Sequence, residues 1–144
     1  MQSWSLNKEQ QQTLKRRVER LPNVRFSRLV SDVRQIYKDA KIVLVPSQVD
    51  EAWGRVVSEA QCSGIPAVYW RSGGLPEAAG DAGICLEKTA PAGEWVNAIN
   101  ELWTNTETFN RLSATARATA EKFSMEKSKR LSELLSFSVF RERN

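Results

Sequence analysis

The sequence predicts an α/β protein: a layered domain with a small parallel sheet and a helical C-terminus. Three observations predict it. Short apolar runs at residues 42–45, 67–70 and 84–86 alternate with stretches of helical patterning. Turn residues follow the first two runs, Pro46-Ser47 and then Ser72-Gly73-Gly74. From about Pro91 onward the pattern is helical, with no further strand signal. Strands that alternate with helices form parallel sheets with right-handed crossovers.

In chain order, residues 6–20 predict a polar, basic helix with Leu14, Val18 and Leu21 at helical spacing, broken by Pro22-Asn23. Residues 24–27 predict a short strand. Ser31 or Asp32 can cap a helix running to about Lys38, with Val33, Ile36 and Tyr37 facing inward. The continuous apolar run 42–45 is the pattern of a strand buried on both faces. Residues 54–62 predict a helix ended by Ser63-Gly64. Residues 67–70 are the next strand, and Pro76 starts a short helix that Gly80 stops. Residues 84–86 form the last strand. Three helices follow, at 92–103, 106–122 and 125–137.

Composition narrows the chemistry. The 144 residues, 41% of them hydrophobic, suffice for one domain with a real core. There is no histidine, which removes Ser-His-Asp and Cys-His nucleophilic systems and the usual His-bearing zinc sites. Cys62 and Cys85 form no C-x-x-C pair, so a metal or redox motif is not expected, and two buried free thiols are. No glycine-rich dinucleotide fingerprint or phosphate loop of the Walker type occurs. No apolar run approaches bilayer length and no basic-then-apolar leader opens the chain, so the expected location is the cytoplasm. The net charge of +4 concentrates at Lys15-Arg16-Arg17 and at residues 127–130. Solvated helix faces are the first reading, contact with anionic lipid at a membrane periphery the second; no nucleic-acid module is matched.

The run Pro46-Ser47-Gln48-Val49-Asp50-Glu51-Ala52-Trp53-Gly54-Arg55-Val56-Val57-Ser58-Glu59-Ala60 carries the most chemistry. Seven residues separate Glu51 from Glu59. Glu51 falls in the loop after a strand and Glu59 inside the next helix, about 7 Å beyond Gly54 at 1.5 Å per residue. Between them lies a helix N-terminus, whose free N–H groups and dipole favour a phosphate. Two hydroxyl-binding acids flanking a phosphate cradle suit a nucleotide-sugar.

The run resembles the E-x7-E motif of retaining GT-B glycosyltransferases of the large group 1 class (family 4). The resemblance continues through Glu59-Ala60-Gln61-Cys62-Ser63-Gly64-Ile65-Pro66, Gly73-Gly74-Leu75-Pro76-Glu77 and Gly80-Asp81-Ala82-Gly83, and upstream through Asn23-Val24-Arg25-Phe26 and Ile36-Tyr37-Lys38-Asp39-Ala40. It covers residues 23–86, with weaker agreement in the helical tail 91–144. It implies a Rossmann-like three-layer fold, the C-terminal, donor-binding half of a GT-B enzyme. On that reading residues 1–144 are one donor-binding domain without its first strand, its usual diphosphate-binding Arg/Lys pair, or the N-terminal acceptor domain.

The resemblance also implies roles. Glu51, the residue assigned to catalysis, meets hydroxyls of the donor sugar. Glu59 meets the ribose hydroxyls, and Trp53, Gly54, Arg55 and Val56 form the cradle. Gly54 lets phosphate approach backbone, Gly73 and Gly74 admit the sugar, and main chain at Leu29 and Val30 meets the base. The implied activity is sugar transfer from a nucleoside diphosphate donor with retention, without metal or other cofactor. The acceptor, a glycan or a lipid-linked molecule, is unnamed, and a separate acceptor-domain protein is the implied partner. Two alternatives stand beside it: a non-catalytic nucleotide-sugar binding fragment or split-enzyme subunit, and a GT-B epimerase-like enzyme. Residue by residue, Glu59 has an ordinary use in pairing with Arg55 at i, i+4, worth about 0.2–0.5 kcal/mol on an exposed helix. Glu51 and Glu77 suit helix entry, Trp53 and Tyr37 suit packing, and the glycines suit tight turns.

Overall fold

The computed structural model describes residues 7–25, 30–47 and 49–141, apart from the side chains at 11, 14, 127, 128 and 130–141. Two compact units divide the chain, Met1–Ser31 and Asp32–Asn144.

The first unit holds helix α1 (Lys8–Glu19). Its start is fixed by a capping box. The Asn7 side chain accepts the Gln10 N–H at 2.8 Å, and the Gln10 side chain accepts the Asn7 N–H at 3.0 Å. The expected strand at 24–27 is not seen at Val24 and Arg25, which are irregular; Phe26 and Ser27 lie outside the described residues.

The second unit is a three-stranded parallel sheet with helices on both faces. Helix α2 (Arg34–Tyr37) is entered through Asp32, whose carboxylate accepts the Arg34 N–H at 3.1 Å and its guanidinium at 2.9 Å. Strands β1 (Val43–Val45), β2 (Ala67–Trp70) and β3 (Gly83–Leu86) lie in the order β1-β2-β3. Val43 pairs with Ala67, and Ala67 with Gly83. Helix α3 (Arg55–Cys62) follows β1 and α4 (Leu75–Ala79) follows β2. Val45, Val57, Ala67, Tyr69, Leu75 and Ala79 form the core on their side of the sheet. On the other side Val68, Ile84 and Leu86 pack against Ala98 and Leu102 of α5 (Ala92–Thr104) and Leu112 of α6 (Thr106–Arg141). Gly64, in a left-handed conformation at φ 67°, ends α3, and Gly80 at φ 51° ends α4.

Several expectations need correction. The segments 106–122 and 125–137 form one continuous helix, because no glycine or proline stands between 106 and 141 to break it. β1 is not buried on both faces: among the described residues it lies at the edge of the sheet, and α5 covers Val68 but leaves Leu44 45% exposed. β1 starts at Val43 rather than Ile42, and β3 at Gly83 rather than Ile84. In α2 only Tyr37 turns inward, onto Ala60 and Ile65, while Val33 and Ile36 stay exposed because four residues present a single inward position. Cys62 is exposed and Cys85 half-buried, where two buried thiols were expected, and both are free.

Candidate functional site

In a parallel sheet the C-terminal ends of all strands gather at one edge, where open α/β sheets bind ligands. The loop after β1 carries Glu51, the loop after β2 carries Ser72, Gly73 and Gly74, and Lys88 follows β3. Contacts among these loops build the site.

Glu59 stands in the second turn of α3, and both its oxygens are engaged. The Tyr37 hydroxyl donates to Oε2 at 3.1 Å and Arg55 Nη2 reaches Oε1 at 3.4 Å. The Arg55 pair is the i, i+4 pairing open to a helical Arg–Glu, with the arginine side chain 85% exposed. Tyr37 is the stronger anchor: it is buried, and its hydroxyl also approaches the Val56 carbonyl at 3.4 Å. Burial, then the hydrogen bond and charge of Glu59, push the Tyr37 phenol up to about 12.

Glu51 is held by its main chain. Its carbonyl accepts the Gly74 N–H at 2.7 Å. Among the described residues no hydrogen bond or ion pair reaches its carboxylate. The next side chain upstream is tied firmly. Asp50 Oδ1 accepts Lys88 Nζ at 2.8 Å and the Ser72 hydroxyl at 2.9 Å, and Ser72 Oγ is also 3.1 Å from the Val49 carbonyl. Lys88, then Ser72, hold the Asp50 carboxyl below the usual carboxylate range.

The glycines are explained by packing. Gly73 is left-handed at φ 50°, and a Cβ there would overlap the Glu51 backbone, carbonyl oxygen first. A Cβ on Gly74 would overlap the Ala52 carbonyl oxygen. The side on which a Cβ would sit is therefore filled by the Glu51 loop. Gly54 has φ −74°, and its Cβ would lie 2.7 Å from Leu75 Cδ2 and 3.4 Å from Ala78 Cβ. The missing side chain makes room for α4, so closeness to a ligand is not needed to explain this glycine.

Gly54 caps α3 without a side-chain bond. The Arg55 N–H turns back to the Trp53 carbonyl at 2.8 Å, while the Val56 and Val57 N–H groups find no partner among the described residues. Val56 is exposed. Trp53 is engaged with α3 and α6. Its Nε1 donates to Ser58 Oγ at 3.0 Å, and its ring meets Phe123 of α6 edge to face at 5.3 Å. A cavity of about 490 Å³ opens there, lined by Trp53, Cys62, Ala120 and Phe123 among others but by neither acid. Val30 belongs to the first unit and Leu29 lies outside the described residues. Among the described residues no three His, Cys, Asp or Glu side chains gather to hold a metal, and no helix is long and apolar enough to cross a membrane.

The family pattern described as "Glycosyl transferases group 1" matches residues 7–119, more than three quarters of the chain. The chain belongs to the group 1 glycosyl transferase family. Relatives in this family include the D-inositol 3-phosphate glycosyltransferase of Corynebacterium kroppenstedtii, 36% identical over 113 residues that cover 76% of this chain and 25% of the relative. The enzyme of the same name from Corynebacterium glutamicum is 38% identical over 96 residues, 65% of this chain and 22% of the relative. Among solved structures, the group 1 chain superposes on Anabaena Alr3699/HepE in complex with UDP and glucose with a TM-score of 0.75, 26% identity and coverage of 92% of this chain and 38% of that one. Sucrose-phosphate synthase from Thermosynechococcus elongatus shares the fold, with a TM-score of 0.68, 20% identity and coverage of 94% and 36%. The chain thus spans about a quarter of the length of these enzymes from Corynebacterium.

The sequence reading missed Asp50, Ser72, Lys88 and the part Tyr37 plays on Glu59. The first three follow successive strand ends by five, two and two residues. Once a parallel sheet is expected, polar side chains within a few residues of each strand end were a usable signal.

Proposed function

We propose that this chain is the donor half of a retaining glycosyltransferase: it binds a nucleoside diphosphate sugar, with uridine diphosphate as the first nucleotide to test. The observation that carries the reading is the placement of two acids around one helix N-terminus at the ligand-binding edge of the sheet. Glu59 is fixed by Tyr37 on the helix, and Glu51 is presented with an unengaged carboxylate in the loop. Support for the nucleotide comes from HepE, solved with UDP-glucose and with UDP and glucose.

In the proposed complex Glu59 accepts hydrogen bonds from ribose hydroxyls, and the diphosphate lies against the exposed N–H end of α3. The Glu51 carboxylate accepts sugar hydroxyls. Catalysis is then positioning, plus stabilisation of charge that builds on the departing diphosphate; no enzymic nucleophile is required. Transfer needs an acceptor-binding unit as partner, and the acceptor itself is a glycan or a lipid-linked molecule. The proposed setting is cytoplasmic, with the exposed basic residues Arg16 and Arg17 of α1 available to an anionic membrane surface.

Calorimetry tests the reading. UDP should bind more tightly than uridine. Glu59→Ala should weaken UDP, since a hydrogen bond to a charged group is worth about 1.5–3 kcal/mol. Glu51→Ala should spare UDP and weaken UDP-glucose. Equal loss of UDP in both variants refutes the division of roles, and equal binding of uridine and UDP refutes the phosphate cradle. The rival reading, a nucleotide-sugar binder without catalysis, predicts the same affinities. It differs in yielding no transfer when an acceptor-domain partner is supplied.

A further inference from the structure

We propose that Asp50 and Lys88 are positioning residues for the donor sugar: together with Ser72 they lock the Glu51 loop onto the β2–α4 turn. The proposal rests on the reading above, in which Glu51 meets the sugar. It addresses how a carboxylate with no hydrogen-bond or ion-pair partner among the described residues can be presented in one place.

Glu51 lies in a loop, and an unrestrained loop would spread its carboxylate over many positions. Two sets of contacts restrain it. On the backbone side, the Gly74 N–H donates to the Glu51 carbonyl at 2.7 Å, and Gly73 and Gly74 leave the two segments no intervening space. On the side-chain side, one oxygen of Asp50, the residue next to Glu51, takes both the Lys88 ammonium at 2.8 Å and the buried Ser72 hydroxyl at 2.9 Å. The loop after β1, the turn after β2 and the segment after β3 are thereby joined through a single atom.

An ion pair with side chains 39% and 74% exposed adds little to global stability. What it can do is choose among loop positions that differ little in energy. That separates a positioning role from a merely structural one, because loss of the pair should leave the melting temperature nearly intact and still blur the placement of Glu51.

The test uses the whole chain and the variants Lys88→Met and Asp50→Asn, with Lys88→Arg as the conservative replacement. Amide hydrogen exchange at Gly74 reads the lock without any ligand. It should accelerate in the first two variants and stay slow in Lys88→Arg. Calorimetry with UDP and with UDP-glucose reads the consequence: the affinity gained from the glucose should fall by about two- to threefold, within the worth of an exposed charged contact, in Lys88→Met and Asp50→Asn and recover in Lys88→Arg. Unchanged Gly74 exchange in Lys88→Met overturns the lock. Faster exchange with an unchanged ratio of UDP-glucose to UDP affinity overturns its link to the sugar. If the unaltered chain binds UDP but gains nothing from glucose, the sugar role of Glu51 fails and takes this proposal with it. If it binds no UDP, the nucleotide reading itself is what fails.

Discussion

Gly54→Ala separates two explanations of the same glycine. If Gly54 is small so that a phosphate can reach the backbone, alanine should harm binding and leave the fold alone. The packing says the reverse. The new Cβ would lie 2.7 Å from Leu75 Cδ2, and it would touch Ala78 Cβ and Val57 Cγ2 at 3.4 Å. Leu75 is fully buried among Val57, Tyr69 and Ala79, so its methyl has nowhere to swing. Overpacking of this kind costs about 1–3 kcal/mol. At roughly 2–4 °C per kcal/mol for a chain near this size, the melting temperature should fall by several degrees. The affinity of the folded fraction for UDP should hold. A second variant supplies the internal control. Leu75→Val frees volume beside residue 54, so Gly54→Ala in the Leu75→Val background should cost clearly less than in the parent. The assay is paired thermal melts of the four proteins with calorimetry on each. An unchanged melting temperature together with lost UDP binding refutes the packing argument and restores the phosphate explanation.

Tyr37→Phe should lower stability by about 1 kcal/mol and loosen Glu59, which would keep only the 3.4 Å contact with exposed Arg55. Calorimetry should show the preference for UDP over 2′-deoxy-UDP shrinking, and an unchanged preference would detach Tyr37 from ribose recognition. Alkaline titration probes the chain's two tyrosines, both buried and both pushed up to about 12, Tyr37 by burial and Glu59, Tyr69 by burial and Cys85. The neutral phenols are favoured in the folded state, so their contribution is fully present below the unfolded value of about 10 and is lost as pH rises toward 12. Absorbance at 295 nm should show no phenolate step near pH 10 while circular dichroism remains native, and a step there in folded protein would contradict the burial.

Why some of this was legible and some not comes down to range. β2 and α3 were readable because their signals are local: a four-residue apolar run in the first, Ser63-Gly64 closing the second. The exposure of Leu44 was not, because Val43-Leu44-Val45 reads the same in a central strand as in an edge strand, and only the sheet order decides between them. Cys62 was expected to be buried because it belongs to no C-x-x-C pair, yet its position lines the cavity beside Phe123. Tyr37 was readable as core from its spacing after Val33, but its hydroxyl partner lies 22 residues away. The Asp50–Lys88 bond spans 38 residues, beyond the reach of any periodicity.

The two acids are held by opposite means, and the difference has an energetic consequence. Glu59 sits on a helix with both oxygens already engaged, so in the proposed complex a ribose would find its acceptor in place, with little ordering left to oppose binding. Glu51 has its backbone fixed and its carboxylate without a bonding partner among the described residues, so in the proposed complex a sugar would have to immobilise a glutamate side chain at about 1.5–2 kcal/mol of rotamer entropy. Set against about 1.5–3 kcal/mol for a charged hydrogen bond, the net gain from the sugar is on the order of 1 kcal/mol. On the proposed reading, a donor half built this way would grip the nucleotide first and hold the sugar lightly. A lightly held sugar suits a reaction in which the nucleotide stays anchored while the sugar departs, because tight binding of the ground-state sugar would have to be given up in the transition state. It also makes the placement of Glu51 sensitive to small changes in its loop, and for that reason the Asp50–Ser72–Lys88 contact, weak as a source of stability, bears on how the sugar is presented.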